Sequence, residues 1–124
     1  MNKIISMFHL KNFPLDISPL SKEKDALHAR RFNFIAGGQE IADGWAELND
    51  PRDQEARFRS QESIRQAGDE EAHRFDQDFV EALEYGMPPM AGVGIGIDRL
   101  VMLLTDTHNI REVVLFPTMR PKQS

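Results

Sequence analysis

The chain has no cysteine. That absence excludes disulfides, zinc–thiolate centres and thiol catalysis together, and it suits a reducing cytosol. Long hydrophobic runs are missing as well. The opening residues 1–8 hold too short an apolar stretch for a signal peptide, and nothing approaches the length of a membrane span. A soluble, cytoplasmic protein is expected. Histidine is sparse: His9, His28, His73 and His108 are scattered, so no histidine cluster points to a metal or a catalytic base. Internal repeats and low-complexity linkers are absent too.

Positive charge is scarce where nucleic acid would need it. The formal net charge is −5, and residues 47–84 hold twelve Asp or Glu against five Arg, a net of −7. Binding a polyanion needs clustered Lys and Arg that displace counterions. This chain is not expected to grip RNA by itself; an RNA partner would be held by other parts of a larger protein. With 124 residues, 40% hydrophobic and 28% charged, it has the size and composition of one domain at most.

What the sequence does have is a patterned glycine run. Gly92-Val93-Gly94-Ile95-Gly96-Ile97-Asp98-Arg99-Leu100-Val101-Met102-Leu103-Leu104 sets three glycines at two-residue spacing, then an arginine opening an amphipathic helix. In a strand those glycines share one face. A face without Cβ atoms lets a flat ligand lie against the backbone, and Arg99 offers a planar cation for a base or a phosphate. The plainer alternative is a glycine-weakened strand packed closely on a helix. Common glycine motifs do not fit. A dinucleotide fingerprint wants its third glycine at position 97, where Ile97 stands, and a P-loop wants a lysine that is not there.

Along the chain, residues 13–20 read as a short edge or irregular strand between prolines, and residues 21–29 as a polar, mobile loop. Residues 31–36 and 39–48 read as an antiparallel hairpin turned at Gly37-Gly38. Asp50-Pro51 predicts a helix start, with a stop at Gly68. Asp69 is expected to cap a second helical stretch that turns Phe75, Phe79 and Leu83 inward and ends at Gly86. The glycine strand follows, then a helix over 98–105 and a last apolar segment at 112–117. Antiparallel strands with inserted helices make the fold class α+β.

Asp43, Trp45 and Glu47 alternate, so a regular strand turns them to one side. Two carboxylates beside an indole suit a cationic chain, its methylenes on the ring and its charge at the acid. Glu40 has the other parity and joins them only if the strand is bulged, for which Gly44 is the natural place. Two alternatives stand beside this: a hairpin turn at Asp43-Gly44, which separates the side chains, and a half-exposed strand with solvated carboxylates.

Gly38-Gln39-Glu40-Ile41-Ala42-Asp43-Gly44-Trp45-Ala46-Glu47-Leu48-Asn49-Asp50-Pro51 and Ala82-Leu83-Glu84-Tyr85-Gly86-Met87-Pro88-Pro89 resemble the C-terminal part of the catalytic domain of class II lysyl-tRNA synthetases. The stretch from Gly92 to Arg99 resembles the third signature motif of that class, and residues 110–121 are similar to the chain's close in the family. The likeness covers about residues 13–121. It implies part of an antiparallel class II sheet with flanking helices, and the whole of residues 1–124 is expected to belong to that portion of the domain. It also implies ATP-dependent activation of lysine, with Mg2+, followed by transfer to tRNA.

On the ATP side the resemblance places Glu40, Glu47, Gly94, Gly96 and Arg99, with Arg99 as the catalytic arginine over the adenine and near the terminal phosphates. On the lysine side it places Asp43, Trp45, Glu47 and Gly94. Glu40 matches a carboxylate that holds magnesium on the phosphates. Two positions depart: Asn33 stands where the family usually has a second magnesium-coordinating glutamate, and Asp43 where it usually has an asparagine near the substrate's α-carboxylate. An acid at 43 would repel that carboxylate or need a bridging cation. The first and second class II motifs and an anticodon-binding domain are not found. The chain is therefore expected to supply half of the site, to be inactive alone, and to self-associate or form a homodimer. Two other functions remain open: a non-catalytic paralogue serving as a nucleotide-binding or dimerisation module, and a synthetase-like enzyme that lysylates a protein.

Overall fold

The computed structural model describes residues 6–118, so residues 119–121 of the family likeness lie outside the described residues. Four antiparallel strands form one sheet in the order β1-β2-β3-β4: β1 (Met7–Lys11), β2 (Arg31–Ala36), β3 (Gln39–Ala46) and β4 (Ala91–Ile95). Between β3 and β4 come α1 (Pro51–Gln66) and α2 (Gln77–Glu84), and α3 (Ile97–Thr105) follows β4. The α+β class is as expected.

The hairpin forms for the reason its sequence suggests. Ala36 pairs with Gln39, leaving a two-residue turn in which Gly37 and Gly38 have φ of +59° and +78°. Side-chain-bearing residues resist two successive left-handed conformations, and this turn matches the twist of the flanking strands. Beyond it the pairing slips. Phe34 pairs with Ala42 but Ile35 with Glu40, so Ile41 is an unpaired bulge residue. The expected bulge therefore exists, but at Ile41 and not at Gly44. Gly44 lies within the strand, paired with Phe32 on one side and Val93 on the other, which also removes the Asp43-Gly44 turn. Its glycine has a packing cause. A Cβ there would sit 2.7 Å from the Phe32 ring and 2.9 Å from the Gly92 carbonyl oxygen.

Three other expectations are corrected. Strand β1 was not anticipated; all five of its residues are exposed, so burial leaves no mark on its sequence. Residues 13–20 form no strand: Leu15–Ile17 is a 3-10 turn and only Pro14 is bridged, to His28, because proline has no N–H for a ladder. Residues 21–29 are not a free loop. Ser21 bridges Glu47, Glu23 bridges Ala29, and Asp25 accepts from the backbone N–H groups of Leu27 and His28, each at 3.0 Å. The Leu27 N–H bond, with the His28 ring, holds the Asp25 carboxyl below its ordinary value.

Helix α1 starts as expected, with Asp50 accepting from the Arg52 N–H at 2.9 Å and Pro51 in the first turn, and it stops before Gly68 at φ +113°. Asp69 caps no helix. Its side chain closes a turn on the Glu71 N–H, and the cap of α2 is Asp76, which accepts from the Phe79 N–H at 2.9 Å. The buried face of α2 is Val80 and Leu83, while Phe79 is 41% exposed and Phe75 half-buried. Both phenylalanines still meet the buried Phe58 of α1 edge-on, at centroid distances of 6.4 and 5.7 Å. From α1, Gln54, Arg57 and Gln61 donate to the carbonyls of Pro19, Ser21 and Asp16. Those bonds tie the irregular 14–21 segment to the helix. Under the sheet, α3 packs on β3, with Met102 buried and Leu103 against the Gly37 turn.

Candidate active site

The bulge at Ile41 decides what one face of the sheet carries. Side chains directly opposite each other in a ladder share a face. Asn33 pairs with Asp43, Arg31 with Trp45, and Ile35 with Glu40. Since Arg31, Asn33 and Ile35 alternate along β2, Glu40 stands on the same side as Asp43 and Trp45. Across β3, Asp43 faces Gly94 and Trp45 faces Gly92. The acids and the indole thus lie beside the bare face of the glycine strand.

The glycines are not equivalent. A Cβ on Gly92 would stand 3.2 Å from Glu47 Oε1, so any side chain there pushes on that carboxylate. On Gly94 it would come no closer than 3.9 Å, to the Asp43 carbonyl oxygen, so its glycine leaves open floor that packing does not demand. Gly96 ends the strand, donates to the Ile41 carbonyl at 2.9 Å and precedes α3. Arg99, in the first turn of α3, folds back over the bulge: Nη1 donates to the Glu40 carbonyl at 2.9 Å and stands 3.8 Å from Glu40 Oε1.

Each acid has a partner that orients it. Trp45 Nε1 donates to Glu47 Oε2 at 2.8 Å, leaving Oε1 for another donor. The Asn33 amide donates to Glu40 Oε2. Arg31 grips Asp43 at both oxygens, Nε to Oδ1 at 3.1 Å and Nη2 to Oδ2 at 2.6 Å. Arg31 is the site residue that sequence reasoning missed. Its only signal is odd-numbered spacing with Asn33, which becomes informative once the bulge is known.

Among the described residues no group of three His, Asp or Glu can hold a metal ion. Yet Asn33 Oδ1 is buried without a hydrogen-bond partner, beside the Glu40 carboxylate. One carboxylate and one orphaned amide oxygen fit a hard cation that brings its remaining ligands with a polyphosphate. They do not fit an all-protein cage.

The family model for class II tRNA synthetases (D, K and N) matches residues 1–120. A lysine–tRNA ligase of Vibrio cholerae is 52% identical over 123 residues, covering 98% of this chain and 24% of the relative. That of Shewanella oneidensis is 54% identical over 115 residues, covering 91% and 23%. The chain therefore spans about a quarter of the length of the relatives it matches. It belongs to the class II tRNA synthetases of the D, K and N group.

Proposed function

We propose that this chain supplies the lysine- and ATP-facing half of a lysine–tRNA ligase site. The observation that carries the reading is the gathering of Glu40, Asp43, Trp45 and Glu47 on one sheet face beside Gly92 and Gly94, with Arg99 at its end. The ε-ammonium of lysine meets Glu47, whose carboxylate Trp45 already orients, and the lysine stem lies on the indole. ATP lies over the Gly94 and Gly96 floor, with Arg99 at the base and terminal phosphates. Glu40 with the free oxygen of Asn33 would hold Mg2+ carried with the phosphates, which would supply neutralisation of their charge.

No side chain need act as an acid or base. The lysine carboxylate attacks the α-phosphorus, an O–P bond forms, and the P–O bond to pyrophosphate breaks. The adenylate then passes its lysyl group to tRNA, with AMP leaving. Catalysis is positioning and charge neutralisation. The acidic α1–α2 segment offers RNA no cationic groove, so tRNA contact falls to other parts of the enzyme.

The test replaces the matching segment of the Vibrio cholerae relative with this chain and measures lysine-dependent exchange of pyrophosphate into ATP. Exchange with lysine, and none with arginine, is expected. No exchange with any amino acid, in a chimera that folds as the parent does, overturns the reading.

A further inference from the structure

Arg31 has no part in the roles given above, yet it is one of the most constrained side chains on the face. Its guanidinium holds both oxygens of Asp43, donates through Nη1 to the Ile17 carbonyl at 3.3 Å and to Ser18 Oγ at 3.4 Å, and stands 4.8 Å over the Phe13 ring. The side chains of Arg31 and Asp43 are only 23% and 21% exposed, so solvent screens the pair weakly. A two-point guanidinium–carboxylate contact fixes orientation as well as distance. The pair contributes no net charge to the middle of a face that carries the acids Glu40 and Glu47, with the cation Arg99 only at its end beside Glu40.

We propose that Arg31 is a positioning residue that determines specificity: by neutralising Asp43 it lets this face accept a zwitterionic amino acid in preference to a bare amine. The inference rests on the reading of the face as an amino-acid site. A ligand with its cationic end at Trp45 and Glu47 carries its carboxylate elsewhere along the strand. An unpaired Asp43 repels that carboxylate, and an unpaired Arg31 attracts it. The competing explanation is a purely structural clamp that ties the Ile17–Ser18 turn to the sheet. A clamp affects all ligands alike; a charge determinant does not.

Trp45, the single tryptophan, reports binding in the full chain. Lysine and lysinamide, which lacks the carboxylate, are titrated against the wild type, Arg31→Met, Asp43→Asn and the double variant, and thermal midpoints are recorded beside the affinities. Arg31→Met is expected to lower the preference for lysine over lysinamide by about tenfold and Asp43→Asn to raise it by about tenfold, the scale of one charge a few ångströms away. The double variant, again neutral, returns the preference to near the wild-type value. Equal weakening of both ligands in Arg31→Met, with the preference unmoved, overturns the inference and leaves a clamp. If Arg31→Met does not fold, Asp43→Asn decides alone, and an unmoved preference there overturns it. No response to either ligand in the wild type also overturns it, while the exchange assay of the chimera shows separately whether the parent reading stands.

Discussion

Single side chains on this face differ in what they serve, and substitution separates the two kinds. Gly44 is enforced by packing: Ala there puts a Cβ 2.7 Å from Phe32 and 2.9 Å from a backbone carbonyl that cannot step aside. Gly44→Ala is expected to destabilise the fold by about 1–3 kcal/mol in urea denaturation. Gly94 has open space above it, so Gly94→Ala is expected to be neutral or stabilising by up to about 1 kcal/mol. It should nevertheless weaken nucleotide binding, because the methyl rises from the ligand floor. A Gly94→Ala variant that unfolds like Gly44→Ala contradicts this division. Asn33 makes a second case. Asn33→Asp sets another carboxylate beside Glu40 in a position only 7% exposed. It is expected to lower stability in the absence of a cation and to tighten Mn2+ binding, read by electron paramagnetic resonance with an ATP analogue, by about tenfold. Unchanged Mn2+ affinity would show that the orphaned amide oxygen does not face a cation. The alternation of Asp43, Trp45 and Glu47 was legible in the sequence because it is local. The partners of those residues were not, since hydrogen bonds from Asn33 and Arg31 cross between strands.

At the scale of elements, capping and turn chemistry were the reliable guides. Asp50-Pro51, Gly37-Gly38, Gly68 and Gly86 all mark the boundaries expected of them, because each acts on its own few residues. Asp69 misled for a related reason: an aspartate closes a turn on the N–H two residues on as readily as it caps a helix. The helical insertion is held by the contact of Phe58 with Phe75 and Phe79 and by the burial of Val80 and Leu83, more than by helix propensity. Phe58 is 4% exposed and meets both rings edge-on. Phe58→Ala is therefore expected to destabilise the chain by about 3–5 kcal/mol. Hydrogen exchange should show α1 and α2 losing protection together while the β2–β3 hairpin keeps its own. Uniform loss across the sheet would mean that the two parts unfold as one unit. Strand β1 escaped notice because an exposed edge strand is specified by its neighbour's free backbone and not by its own hydrophobic pattern.

For the whole molecule the leading feature is unpaired surface. Val93 and Ile95 of β4 are 58% and 53% exposed, and Leu115 and Phe116 are nearly bare. Exposed apolar strands associate. Sedimentation of the isolated chain at tens of micromolar is expected to give masses above the monomer, and Val93→Lys with Ile95→Lys to shift it toward 14.2 kDa. A wild-type monomer at every concentration would contradict this. No helix among the described residues is long and apolar enough to cross a membrane. By itself the sequence determined the α+β class, the hairpin, the helix starts and stops, the glycine face and the family, because each is written in short-range spacing. Only the tertiary structure decided which residues meet across the site. A two-residue turn with unbroken pairing would set Arg31 opposite Gly44 and turn Asp43 and Trp45 to the far side of the sheet. The unpaired Ile41 shifts the ladder by one residue. Side chains repeat every two residues along a strand, so that one-residue shift brings Asp43 and Trp45 onto the face that Arg31 and Asn33 share with Glu40.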